Sequence, residues 1–193
     1  WVRMSMRFLI AAARDGGSMH NRMSYGGSWI DRAHHGDHVG RAVWALGVLA
    51  GSPAVPAEVL GTAGDLLDDL APHAPALARC GLRSAAYAIL GLAAAGSTGQ
   101  ANRGALADLV RHLDESLVAT AEPNWYWFEP VLTYDNARLA HALLAGAVAL
   151  DDRTVAGRAL AALDWYADHA GLTAGMLRNI GNRWHLRDSP ADW

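Results

Sequence analysis

The segment Arg41-Ala-Val-Trp44-Ala-Leu-Gly47 carries a pattern that the chain uses three times. An Arg is followed about one helical turn later by an aromatic residue or a His, then by small apolar residues and a Gly. The other two copies are Arg83-Ser-Ala-Ala-Tyr87-Ala-Ile-Leu-Gly91 and Arg138-Leu-Ala-His141-Ala-Leu-Leu-Ala-Gly146. All three are rich in Ala and apolar nearly all round, which is typical of helices buried on every side.

Apolar residues at helical spacing predict helices along the whole chain, and no strand of useful length is expected. The predicted spans are about 2–14, 38–50, 56–70, 81–95, 101–121, 136–150 and 153–170. The three copies fall in buried helices, whereas the helices between them carry a charged face. This alternation predicts an all-α fold of stacked helical hairpins, with an inner ring of helices wrapped by an outer ring.

Length and composition restrict the class of protein. The 193 residues suffice for one domain over 1–193, and 52% hydrophobic residues exclude a disordered chain. The 16 basic residues are all Arg and are dispersed, so no nucleic-acid partner is expected. No apolar run reaches about 18 residues, so no membrane span is expected. Cys80 is alone, which excludes an internal disulfide, and we expect it to be a small buried hydrophobe.

The first residues lack an initiator Met and a signal-peptide pattern, so we expect a fragment or a processed product. They do not indicate a compartment, and the cytoplasm is taken as the expected location. A sequence of this kind points to no cofactor.

The loop before the third copy combines aromatic rings with acids. Its aromatic residues are Trp125, Tyr126, Trp127 and Phe128. Glu129 follows at once, and Asp135 comes at the start of the next helix. Carbohydrate chemistry uses rings that lie on the C–H faces of a sugar and carboxylates that move protons. Glu129 is the candidate general acid, because apolar neighbours disfavour an ionised carboxylate; an exposed loop residue or a partner of an Arg is the alternative.

Two further acids each begin a predicted inner helix. Asp37 and Asp135 are candidate general bases, although Asp is also a favoured helix N-cap. Arg41 and Arg138 follow them and are candidates for binding a sugar, particularly an acidic one. Ion pairs with Asp37 and Asp135 are the alternative for these Arg residues.

Trp29 lies in a long polar loop at residues 15–36 and joins Trp125, Tyr126 and Trp127 as a candidate stacking platform. Packing against the outer helices is the alternative for these rings. His141 takes the aromatic position of the third copy and is assigned to substrate binding. The stretch His34-His-Gly-Asp-His38 suggests a metal, but neither a HExxH motif nor paired Cys accompanies it, so we predict none.

Inner helices of a ring all run the same way, so the loops before them share one end. This geometry predicts that the candidate acids and Arg residues face a common cleft. They are Asp37, Arg41, Glu129, Asp135 and Arg138.

Two segments resemble the glycosidase-like (α/α) toroid proteins of bacteria, which are often encoded with glycosyltransferases or described as such. They are Asp37-His-Val-Gly40-Arg41-Ala-Val-Trp44-Ala-Leu-Gly47 and Trp127-Phe-Glu129-Pro-Val-Leu132-Thr-Tyr134-Asp135-Asn136-Ala-Arg138-Leu139. The tail at residues 179–184 is similar to the Gly-Asn loop before the next inner helix there. The resemblance implies a six-hairpin toroid with a sugar cleft. Seven helices are about half of it, so we expect an incomplete (α/α)6 barrel whose apolar ends meet another copy or a missing segment.

The leading functional hypothesis is a carbohydrate-active, glycoside-hydrolase-like protein, with Glu129 as acid and Asp37 or Asp135 as base. A non-catalytic sugar-binding or docking domain that accompanies a glycosyltransferase is the second. A helical-repeat scaffold for protein binding is the third. The first needs two carboxylates that face one cleft. The second needs the aromatics in a cleft with only one acid, or with acids locked by Arg. The third needs buried aromatics and an apolar concave face.

Overall fold

The computed structural model describes residues 1–96, 100–179 and 185–189, and the predicted all-α character is confirmed there. The α-helices are α1 (Val2–Ala12), α2 (Asp37–Ala50), α3 (Ala57–Leu70), α4 (Leu82–Ala94), α5 (Gln100–Thr120), α6 (Ala137–Leu150) and α7 (Arg153–His169). The largest departure from the predicted bounds is at α1, which ends at Ala12 rather than at residue 14. An unexpected two-residue strand pair joins β1 (Val131–Leu132) to β2 (His185–Leu186), antiparallel.

Chain contacts group the residues into two units, Trp1–Leu109 and Val110–Trp193. The first half of α5 belongs to the first unit and its second half to the second. The expectation of a single domain and of a ring therefore stays a prediction.

Helices α2 and α4 form the centre of the first unit and run parallel. Gly40 of α2 lies against Ser84 of α4, and about two turns further along Gly47 lies against Gly91. A Cβ atom at Gly47 would stand only 1.9 Å from the carbonyl oxygen of Gly91. The repeated Gly of the sequence pattern is thus a point of backbone contact, and the parallel direction predicted for inner helices is confirmed for this pair.

Helix α3 packs on α2, and a 3₁₀ helix, Ala71–Cys80, packs on both α3 and α4. The prediction that Cys80 is buried is wrong, because its thiol is exposed. The buried stripe of the 3₁₀ helix consists of Ala71, Ala74 and Leu77. It stops one turn before Cys80, where the chain turns away at Gly81 with φ of 126°.

Helices α6 and α7 pair in the second unit and are joined by a tight turn. Asp152 caps α7, since one carboxylate oxygen accepts the main-chain N–H groups of Thr154 and Val155, both at 3.0 Å. Arg158 of α7 donates two hydrogen bonds, of 2.7 and 2.6 Å, to the carboxylate of Asp114 on α5. The bonds of Arg158 fix α7 on α5.

Candidate functional site

The turn before α6 is held by one amide side chain. Asn136 Oδ1 accepts the N–H of Thr133 at 3.0 Å, and Asn136 Nδ2 donates to the carbonyl of Thr133 at 3.1 Å. Asn136 is buried and serves as the N-cap residue of α6. Asp135 therefore precedes the cap, in a left-handed conformation with φ of 48°. The N-cap alternative for Asp135 is wrong, because the neighbouring Asn takes that position.

Three charged or ionisable side chains follow one another on the exposed side of this turn. Arg138 Nε lies 3.7 Å from Asp135 Oδ1, as the ion-pair alternative predicted. Arg138 Nη1 also lies 3.2 Å from His141 Nδ1. A guanidinium only donates, so His141 Nδ1 accepts and its Nε2 carries the proton.

The setting of His141 favours the neutral ring. Burial is the larger cause and the Arg138 charge the smaller, and together they hold the pKa of His141 below its ordinary value. The site at the start of α6 therefore presents a carboxylate, a guanidinium and a neutral imidazole in sequence.

Two tyrosines belong to this site and were not among the predicted residues. Tyr134, adjacent to Asp135, keeps 50% of its surface exposed. Tyr166 of α7 shares a hydrogen bond with Asn136, and burial raises the pKa of Tyr166 more than that bond lowers it. Tyr134 lies inside the motif that carries the family resemblance, which was a usable signal. Nothing local in α7 indicated Tyr166.

The aromatic loop is buried. Trp125, Trp127 and Phe128 are only 3%, 0% and 2% exposed. Trp125 packs edge-on against Trp165 at 5.1 Å, and Trp127 stacks on Tyr166 at 5.0 Å. The packing alternative describes Trp125 and Trp127 in this structure, since α7 covers rings that were expected to hold sugar.

Trp125 also fixes the position of the candidate acid. Its Nε1 donates to the carbonyl of Glu129 at 2.7 Å, which anchors the main chain there. Glu129 and Tyr126 are both half-buried. A polar contact lies behind the loop, where His169 Nε2 and His185 Nδ1 are 3.0 Å apart with stacked rings.

The start of α2 carries a second polar cluster, in the first unit. Gly36 is the N-cap residue, so the N-cap alternative for Asp37 is wrong. Asp37 Oδ1 instead accepts the Ser84 hydroxyl at 2.6 Å across the α2–α4 contact. Arg41 is exposed and donates to the Tyr87 hydroxyl at 3.2 Å, with its guanidinium 4.9 Å from the Tyr87 ring centre. Trp44 stacks on Tyr87 with centroids 5.9 Å apart.

Trp29 is half-buried, because it stacks on His20 at 4.7 Å and meets Phe8 at 5.4 Å. His35 and His38 each donate to a main-chain carbonyl, at 3.0 Å, and so hold the long loop. Among residues 1–96, 100–179 and 185–189, no group of three or more His, Cys, Asp or Glu residues could hold a metal ion.

The predicted residues thus fall into two sets. Glu129, Asp135, Arg138 and His141 belong to the second unit, whereas Asp37, Arg41 and Trp29 belong to the first. A cleft shared by both sets stays a prediction. Most of the Gly-Asn tail lies outside the described residues.

Comparison with known proteins adds no family. No family model matches the chain, and neither a curated protein nor a solved structure matches it. None of the helices in the described part of the chain is both long and apolar enough to cross a membrane.

Proposed function

We propose that this chain is a carbohydrate-active protein that binds sugar at the start of α6. One observation carries the proposal: the side chains of Asp135, Arg138 and His141 lie within contact distance in succession, and Tyr134, which precedes Asp135 in the chain, is 50% exposed. Sugar hydroxyls both donate and accept hydrogen bonds. The carboxylate of Asp135 accepts, while the Arg138 guanidinium and His141 Nε2 donate, so the surface complements a pair of adjacent hydroxyls.

The proposal assigns the sugar-stacking role to Tyr134 rather than to the tryptophans. Trp125 and Trp127 are covered by α7, so their part is to support the turn from behind. Tyr134 is 50% exposed and adjoins Asp135 in the chain, and a tyrosine ring suits the C–H face of a sugar.

The reaction we propose is glycoside-hydrolase-like cleavage. Glu129 donates the proton to the leaving oxygen, and Asp135 acts as base or nucleophile. The separation of the two carboxyl groups in the working protein then decides whether the anomeric configuration is retained or inverted.

A non-catalytic sugar-binding domain is the second candidate, and the contact between Arg138 and Asp135 favours it. An Asp in contact with a guanidinium has to break that contact before it can take a proton from water. Binding without turnover is the expected behaviour if the contact persists with sugar bound.

Binding is tested by screening a glycan array and then titrating the best oligosaccharides by calorimetry. Tyr134→Ala should weaken binding by about 0.5–1.5 kcal/mol, which is roughly two- to tenfold. Tyr25→Ala is the matched control, because Tyr25 is fully exposed at 111% in the first unit. Equal affinity in the two variants, or no binding to any glycan, contradicts the proposal.

Catalysis is tested separately with Glu129→Gln on whichever oligosaccharide binds. Gln keeps the shape and cannot donate a carboxyl proton, so turnover should be lost while affinity is kept. Turnover near that of the unaltered protein removes Glu129 from the mechanism. Sugar binding without turnover in the unaltered protein selects the non-catalytic candidate.

A further inference from the structure

Helices α1 and α2 leave an elongated groove between them in the first unit. Helix α1 packs on α3 and has little contact with α2, so facing stripes of the two helices stay apart. The groove has a volume of about 520 Å³, which lies in the range of small-molecule sites. Its two stripes include Val2, Met6 and Leu9 of α1 and Trp44 and Val48 of α2.

The shape of the groove follows from helical spacing. The α2 stripe runs from Arg41 to Leu49, which is eight steps of about 1.5 Å, or about 12 Å. The α1 stripe from Val2 to Leu9 is of similar length. The groove therefore suits a narrow, extended apolar ligand.

Charge distinguishes one end of the groove from the other. Among the described residues that line the groove, Arg41 has the one charged side chain, and none is an Asp or a Glu. Arg41 stands at the first turn of the α2 stripe, while Val48 and Leu49 stand at the other end. The Arg41 guanidinium is held against Tyr87, and Trp44 stacks on the same ring, so both side chains are positioned before a ligand arrives.

We infer that this groove binds a single-chain amphiphile with an anionic head, of the fatty-carboxylate class, as a monomer. The carboxylate pairs with Arg41, whose planar guanidinium matches two carboxylate oxygens. The chain lies along Trp44, Val48 and the facing residues of α1. Val2 and Val48 are 43% and 49% exposed, and a bound chain removes that apolar surface from water. The residues that line this groove belong to the first unit, and those of the proposed sugar site belong to the second.

The test is calorimetric titration of the whole chain with dodecanoate below its micelle concentration, and with dodecanol as the uncharged analogue. We expect saturable 1:1 binding of dodecanoate. Arg41→Gln should weaken dodecanoate binding about fivefold and leave dodecanol binding unchanged. Arg7→Gln is the matched control, because Arg7 is an exposed Arg of α1 that lines a different pocket, and it should change neither affinity.

A groove-filling variant makes the test independent of charge. Ala45 lines the groove and is exposed, so Ala45→Trp fills it without entering the core. This variant should keep the helical signal and the thermal midpoint and lose binding of both amphiphiles. Three outcomes overturn the inference: no binding of dodecanoate, equal binding by Ala45→Trp, or equal weakening by Arg7→Gln and Arg41→Gln.

Two other occupants give distinct results. A dimer in ultracentrifugation that Ala45→Trp converts to a monomer shows that a second copy fills the groove. Binding to anionic vesicles without binding to monomeric dodecanoate shows that the ligand is a membrane surface. Either result overturns the inference.

Discussion

Replacing Gly47 with Ala should destabilise the first unit, although Ala is the better helix former. The Cβ atom would lie 1.9 Å from the carbonyl oxygen of Gly91 and 2.5 Å from its carbonyl carbon. Both are main-chain atoms of a buried helix, so neither can rotate away. An ordinary contact begins near 3.4 Å, so α2 and α4 have to separate locally by 3.4 − 1.9 = 1.5 Å.

The magnitude follows from two opposing effects. Overpacking a close contact costs about 1–3 kcal/mol. Ala gains about 1 kcal/mol over Gly in a helix interior, which offsets part of that cost. Separation also loosens the contacts of Val43 and Leu46, which are fully buried in the turn of α2 before Gly47. We therefore expect a net loss of about 1–2 kcal/mol in the free energy of unfolding.

Gly61→Ala is the matched control. Gly61 lies in α3, and a Cβ atom there meets nothing within 4 Å. Only the helix-propensity gain remains, so this variant should be more stable than the unaltered protein by about 0.5–1 kcal/mol. The two substitutions are chemically identical and are expected to have opposite signs.

Thermal unfolding followed by circular dichroism at 222 nm measures both variants. A chain of this length shifts its midpoint by about 2–4 °C per kcal/mol, so the two midpoints should differ by roughly 3–12 °C. A Gly47→Ala protein as stable as Gly61→Ala would falsify the close approach of α2 and α4.

Three further predictions concern the second unit. Asp152→Ala should cost about 1 kcal/mol in urea unfolding by removing the α7 cap, whereas Asp164→Ala, on the exposed side of α7, should not. Burial, and to a smaller extent His185, lowers the pKa of His169 below 6.5. The unfolded chain therefore binds a proton at a higher pH than the folded chain, and the free energy of unfolding should fall as the pH drops below about 6.5. His169→Gln should reduce this fall. Arg138→Gln should raise the pKa of His141 in an NMR titration without restoring its ordinary value, because burial persists; an unchanged pKa contradicts the 3.2 Å contact.

The helices were predictable because a helix repeats its environment every turn. The apolar spacing of α2, α4 and α6 predicted burial on all sides. The prediction is confirmed for α4, whose residues from Arg83 to Leu92 are all buried. It is wrong for α2 and α6, which are buried on one face and exposed at Arg41 and Ala45 of α2 and at His141 of α6. The repeated Gly also indicated a constraint, although only the structure identifies it as backbone contact between Gly47 and Gly91. Such pairing joins residues 44 positions apart (91 − 47), and no local pattern encodes the partner.

The helix starts were harder to predict because two adjacent polar residues can both serve as a cap. Asp37 and Asp135 are each one position away from the observed N-cap residue, which is Gly36 for α2 and Asn136 for α6. Contacts outside the helix decide between the neighbours: the Ser84 hydroxyl engages Asp37, and the main chain of Thr133 engages Asn136.

The aromatic loop shows why composition alone does not locate a binding surface. A ring can serve a ligand only on a face that the protein leaves open. The partners that cover Trp125 and Trp127 are Trp165, Tyr166 and His169, some 40 residues later in the chain by the numbering. A loop has no periodic pattern that would reveal these partners. The sequence from Trp125 to Phe128 is therefore equally compatible with an exposed platform and with a buried core.

Burial of those rings makes the neighbouring turn a better place for a ligand. Asn136 binds both main-chain groups of Thr133 and also engages the Tyr166 hydroxyl, so the turn that carries Tyr134 is tied to α6 and α7 together. Asp135 adopts a left-handed conformation in the same turn, where glycine is usual. The hydrogen bonds of Asn136 offset the conformational strain at Asp135. A ligand that meets Tyr134 and Asp135 orders little of the chain on binding, which leaves more of the contact energy for affinity. The buried tryptophans therefore support the proposed sugar site by making its turn rigid, even though they do not contact the sugar.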